Sequence, residues 1–188
     1  MAGIGHNGGP GTGSGFRAHC WTVARRELLG ASLPVEVVRM QVKRAKALGL
    51  DYKTYAGVRA TTGRDLIAFL YSSNALGVFR AVQPVGTAER ARIAHVAASA
   101  HLGCAPGLAP DVIGRQIGAV SARMLAPFGA SWSAMRDEMK GWLRAQGLPG
   151  DAVLMIGETD HEREMMTAGG LAGFIPGHRF FAGAADAV

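Results

Sequence analysis

The sequence predicts an α/β fold, predominantly helical, with a small, mostly parallel sheet and a helix-turn-helix-like hairpin in the N-terminal half. Three observations lead there. Apolar residues recur at intervals of three and four over much of the chain, the period of helices that bury one face. Two short unbroken apolar runs, Leu66–Tyr71 and Ala152–Ile156, end in small and polar residues, as buried strands do. A glycine, Gly49, separates two helical patterns in a basic segment.

The elements follow in order. Residues 1–15, MAGIGHNGGPGTGSG, include seven glycines and offer almost nothing to bury, so they read as a flexible arm. Residues 16–188 are expected to form a single compact domain, because 48% of the chain is apolar and only 18% charged. Residues 16–30 carry a helical stripe that Gly30 closes. A second helix opens at Pro34, a residue suited to the first turn, and runs along Val35, Val38, Val42, Ala45 and Leu48 to a stop at Gly49. Asp51 caps a short helix over 51–60.

The run Leu66–Tyr71 reads as a strand or as a buried helix started by the Thr62–Asp65 pair. Its length and aromatic content favour the strand. Val78–Val82 reads as another short strand. Thr87–Ala100 is Ala-rich and helical, and Pro106 and Pro110 break it. Residues 111–125 and 131–146 give two further helices, the second with Trp132, Met135, Met139, Trp142 and Leu143 on its apolar face. After the Ala152–Ile156 run come the acidic stretch Gly157–Glu162, a helix over 160–168 and a Gly-rich turn before Phe180.

Charge gives the first pointer to function. The formal net charge is +6, and it is uneven: residues 17–92 hold 13 of the 20 Lys and Arg but 5 of the 14 Asp and Glu. A basic segment beside an acidic one points to a polyanionic partner. No apolar window is long enough for a membrane span, and no secretory signal opens the chain, so a cytoplasmic protein with no membrane association is expected. Cys20 and Cys104 lie far apart and read as reduced structural thiols. With His19 and His101 they match no zinc-finger spacing, so neither a metal nor a cofactor is expected.

The segment QVKRAKALGLDYKTYAGVRAT, residues 41–61, has the parts of a tight helical hairpin. Ala45 is the small residue, Gly49 the turn, and Leu48, Leu50, Tyr55 and Val58 the apolar anchors. This order resembles the helix-turn-helix of the phage Cro and repressor proteins. The resemblance implies DNA binding, with the second helix in the major groove and Tyr52, Lys53, Thr54, Ala56 and Arg59 facing outward. Arg59 would read guanine, Lys53 and Thr54 would meet phosphates, and Arg39, Lys43, Arg44 and Lys46 would lie along the backbone. The leader GIGHNGGP, residues 3–10, resembles one carried by phage-related and nucleoid-associated bacterial proteins. The expected role is thus DNA binding, with transcriptional or mobile-element regulation as its setting and a homodimer or protein partner as a further expectation.

A second reading is an α/β enzyme. In open α/β sheets ligands bind beyond the carboxyl ends of strands. The ends of 69–74 and 154–162 carry Ser72, Ser73 and Asn74 on one side and Glu158, Asp160, His161 and Glu162 on the other. Ser72, Asp160 and His161 are the candidate catalytic groups. The stretch IGETDHEREMMTAGGLAGFIPG resembles the final acidic motif of haloacid-dehalogenase-like phosphatases, which implies a phosphatase-like architecture. That family opens with Asp-x-Asp after an apolar strand, a motif this sequence lacks. A third reading is a non-catalytic interaction module presenting Met135, Met139, Met165, Met166, Trp132 and Trp142.

Overall fold

The computed structural model describes residues 33–182. The flexible arm expected over 1–15, the GIGHNGGP leader and the helix expected over 16–30, with His19 and Cys20, lie outside the described residues. The chain divides between Met40 and Gln41 into two units. Of the first, residues 33–40 are described, and Val35 to Met40 lie in the first helix.

The element order is α1 (Val35–Ala47), α2 (Tyr52–Thr62), β1 (Ala68–Ser72), α3 (Thr87–Ala94), β2 (Ser99–Cys104), α4 (Pro110–Gln116), β3 (Ser121–Met124), α5 (Trp132–Ala145), β4 (Val153–Gly157), α6 (Asp160–Gly169), β5 (Gly173–Pro176) and α7 (Gly177–Ala182). The five strands form one wholly parallel sheet in the order β3-β2-β1-β4-β5. β1, at the centre, pairs Ala68 with Ser99 on one side and with Val153 on the other. Both of its faces are covered, and so every residue of β1 and of β4 is buried.

Alternation along these strands separates two cores. Phe69, Tyr71, Leu102, Leu154 and Ile156 face one side, where Ala45, Leu48, Tyr55, Ile93, Ile113 and Phe180 pack on them. Ala68, Leu70, Val153 and Met155 face the other, under Met135, Met139, Trp142 and Leu143 of α5 and Met165 and Ala168 of α6. The methionines and Trp142 expected as a partner surface are therefore largely core, while Trp132, at the start of α5, is half exposed.

The hairpin forms as its sequence requires. Gly49 takes φ +66°, a region open to glycine, and lets the chain reverse after α1. Asp51 then caps α2: Oδ1 accepts from the Thr54 N–H at 2.8 Å and Oδ2 from the Thr54 hydroxyl at 2.6 Å. The Thr54 hydroxyl and the backbone N–H groups hold the Asp51 carboxyl below the usual carboxylate range.

Three expectations are corrected. The run Leu66–Tyr71 leads into strand β1 (Ala68–Ser72) and not a helix, but Val78–Val82 is not a strand. Its backbone turns, with Gln83 accepting from the Phe79 N–H and donating to the Gly77 carbonyl. The helix over Thr87–Ala100 stops at Ala94, and Ser99–Cys104 is strand β2. The helix over 111–125 stops at Gln116, and Ser121–Met124 is strand β3.

Candidate nucleic-acid interface

The hairpin helices lie against the sheet on the side of Phe69 and Tyr71. A network at their base decides which cations remain free. Arg44 donates from Nε to Asp65 Oδ2 at 2.9 Å, from Nη2 to the Leu66 carbonyl at 2.7 Å and from Nη1 to the Ala97 carbonyl at 3.0 Å. Asp65 Oδ1 accepts from the Tyr55 hydroxyl at 2.8 Å, and Arg59 Nη1 donates to that hydroxyl oxygen at 3.3 Å. Arg44 is thus committed to fixing α1 on the entrance to β1, while Arg59 makes one long bond to Tyr55 on its own helix. Tyr55 is buried, and burial foremost, with the Asp65 hydrogen bond, pushes its hydroxyl pKa up.

The other residues expected at a DNA surface are distributed unevenly. Lys43, Lys46 and Lys53 are exposed. Thr54 spends its hydroxyl on Asp51, and Tyr52 reaches Gln41 Oε1 at 3.5 Å, the outer limit of a hydrogen bond. Arg39, in the first unit, is exposed and pairs with Glu36 at 3.2 Å. Lys53 and Arg59 are six residues apart, about 240° around a helix at roughly 100° per residue, so they do not form one cationic stripe.

Three of the cations unpaired among the described residues meet in a groove. Between the hairpin turn, α3 and α7 lies a groove of about 1110 Å³. Lys46, Arg92, His95 and Arg179 contribute its basic lining, with Thr54 and Asp51 as the other polar residues. Leu50, Val96, Ile175, Pro176 and Phe180 line it with apolar surface. Arg92 is held in place: Nη2 donates to the Gly49 carbonyl at 2.7 Å, and Cζ lies 4.8 Å from the centroid of the Phe180 ring. Its Nε is buried without an acceptor. Among the described residues, Lys46, Arg92 and Arg179 have no carboxylate oxygen within 4.0 Å, a property they share with Lys43, Lys53, Arg59 and other surface cations; what sets them apart is that they line one groove.

Comparison of the chain with protein-family models, curated proteins and solved structures gives no match. Among the described residues no helix is long and apolar enough to cross a membrane, and no three His, Cys, Asp or Glu side chains gather as metal ligands would.

The second expected site lies at the carboxyl edge of the sheet. The strand order reverses between β1 and β4, so the ends of the two predicted runs are neighbours. Asn74 Nδ2 donates to Glu162 Oε1 at 3.0 Å across that junction. Glu162 Oε2 accepts from the backbone N–H groups of Glu158 at 2.6 Å and Thr159 at 2.9 Å, which completes a capping box on α6. The candidate catalytic groups do not converge. Ser72 is fully buried and its hydroxyl accepts from the Ala75 N–H, Asp160 points outward toward Arg163, and His161 Nε2 contacts the Ala126 carbonyl. No hydrogen bond joins the three. Glu158 instead receives His178, whose Nδ1 lies 2.6 Å from Oε1. Partial burial works to raise the Glu158 carboxyl, but hydrogen bonds from the His178 ring and backbone outweigh it and leave the pKa lowered.

Sequence reasoning named Lys46 and Thr54 among the groove residues and missed Arg92, His95 and Arg179. The three segments are far apart in the chain, and each is locally an ordinary helix with surface cations. Only the folding of α3 and α7 onto one side of the sheet brings them together.

Proposed function

We propose that this protein binds nucleic acid through the groove between the hairpin turn, α3 and α7, not through α2 as a reading helix. One observation carries the reading: Lys46, Arg92 and Arg179 surround a concave surface with no carboxylate partner within 4.0 Å among the described residues. Against the single Asp51 carboxylate in the lining, the three cations leave the groove net positive, which attracts phosphates and releases their condensed counterions on binding. Lys43 and Lys53, exposed on the same hairpin, extend that field. Fluorescence anisotropy of a labelled oligonucleotide at low salt tests the reading. The wild-type chain binds, and the double reversal Lys46→Glu/Arg179→Glu, on two exposed residues, weakens binding strongly while leaving the circular dichroism unchanged. Undiminished binding by that variant refutes it.

A second reading places a small-molecule site at the carboxyl edge. The observation favouring it is the reversal of strand order between β1 and β4, the position where open α/β sheets take ligands. The apolar strand β1 is followed directly by Ser72-Ser73-Asn74, with no carboxylate at either end of the triplet. The triplet lacks the Asp-x-Asp that stands after such a strand in the phosphatases, and both serine hydroxyls are buried and bonded to backbone N–H groups, which weighs against phosphoester attack. A phosphate-ester hydrolysis assay separates the two: no turnover is expected, and turnover lost in Ser72→Ala would favour the enzyme reading.

A further inference from the structure

Resting on the nucleic-acid reading above, we propose that the groove takes a single strand in preference to a duplex. The cations stand on three different elements around a cleft, not along a protruding rod. Lys46 ends α1, Arg92 lies on α3 and Arg179 on α7. The helix that would enter a major groove is committed to the sheet: Tyr55 is buried, and Val58 lies 3.7 Å from where a Cβ on Gly173 of β5 would stand.

The lining is mixed, and this distinguishes the two forms of nucleic acid. Leu50, Val96 and Ile175 give the groove apolar surface between its cations. A duplex keeps its bases stacked inside and offers phosphate and sugar to a surface, so it gains nothing from apolar walls. A single strand turns its phosphates to the cations and lays bases on the apolar part. Arg92, fixed between the Gly49 carbonyl and the Phe180 ring, brings its charge to the groove without first being ordered.

The test uses the full chain and three labelled probes of equal charge: a short oligothymidylate, a duplex, and an abasic single strand. The oligothymidylate is expected to bind about tenfold tighter than either of the others, the size of effect that one or two base contacts give. Lys46→Glu/Arg179→Glu weakens binding of both single strands. Duplex binding equal to or tighter than the oligothymidylate, or equal binding of the abasic strand, overturns the single-strand proposal and leaves the nucleic-acid reading standing. Failure of all three probes to bind at low salt overturns both.

Discussion

The Asn74 amide donates to Glu162 Oε1 across 3.0 Å, and this bond ties the turn after β1 to the turn after β4. Glu162 is almost fully buried, and every partner of its carboxylate is an N–H group of Asn74, Glu158 or Thr159. A position that an open α/β sheet can use for a ligand is here occupied by the chain's own carboxylate. Glu162→Ala should cost about 2–4 kcal/mol, since it leaves these buried donors without an acceptor. Glu162→Gln, which keeps one carbonyl oxygen, should cost less. Urea denaturation followed by circular dichroism measures both, and equal losses for the two variants would contradict this account.

Arg44 separates structure from binding. Its three hydrogen bonds join α1 to Asp65 and to the carbonyls of Leu66 and Ala97. Arg44→Gln should lower stability by about 1–3 kcal/mol, the range for losing charge-assisted hydrogen bonds in a partly buried setting. Its affinity for an oligonucleotide, measured where the variant is fully folded, should change by less than about threefold. A large loss of affinity with intact stability would return Arg44 to the binding surface.

Gly49→Ala should cost about 1–2 kcal/mol, because φ +66° is strained for any residue with a Cβ. The added methyl would meet Arg92 Nη2 at 3.6 Å, ordinary contact, so the loss is conformational and not steric. Thermal melting of the alanine variant beside a Gly49→Asn variant checks this, with asparagine expected to recover part of the loss.

His101 gives the fold a pH dependence. It is buried in β2, with Nδ1 2.8 Å from the Ser121 hydroxyl and Nε2 3.2 Å from the Ser99 hydroxyl, while Trp142 Nε1 donates to Ser121 at 2.9 Å. Burial pushes its pKa below the ordinary value of 6.5. The unfolded chain therefore binds the proton more readily than the folded one. The stabilisation is present above about pH 6.5 and declines as pH falls from there toward the folded pKa. Denaturation midpoints measured from pH 7.5 to 5 should fall, and His101→Gln should flatten that slope. Asp51 and Glu158, both lowered, contribute losses only at more acidic pH. An unchanged slope in His101→Gln would assign the dependence to another group.

Much of this fold was legible because local chemistry and tertiary structure agree. Asp51 and Thr159 cap the helices they precede, Gly49 turns the chain, and the apolar runs around Phe69 and Met155 are the two central strands. The flanking strands were not legible. β2 reads Ser99-Ala-His-Leu-Gly-Cys104, poor in β-branched and aromatic residues, and follows an Ala-rich helix without a proline between them. Parallel pairing with β1 overrides propensity there. Gly103 is fitted to that place, since a Cβ would stand 2.5 Å from the Leu125 side chain. β3 is four residues at a sheet edge and follows Gly118 at φ +64°, so a helical period seemed to run through it. The hairpin was legible as a shape, but its free and spent cations were not, because Asp65 lies outside the motif and Arg92 and Arg179 belong to other elements.

The salt dependence of oligonucleotide affinity, measured for wild type and for Lys46→Glu/Arg179→Glu, tests the central claim most directly. Each phosphate neutralised on a single strand contributes about 0.7 to the slope of log affinity against log salt. The account predicts a steep wild-type slope that falls by about 1.4 or more in the variant, with binding still detectable at the lowest salt. A slope identical in the two proteins would show that the groove's cations do not meet phosphates, and would contradict it.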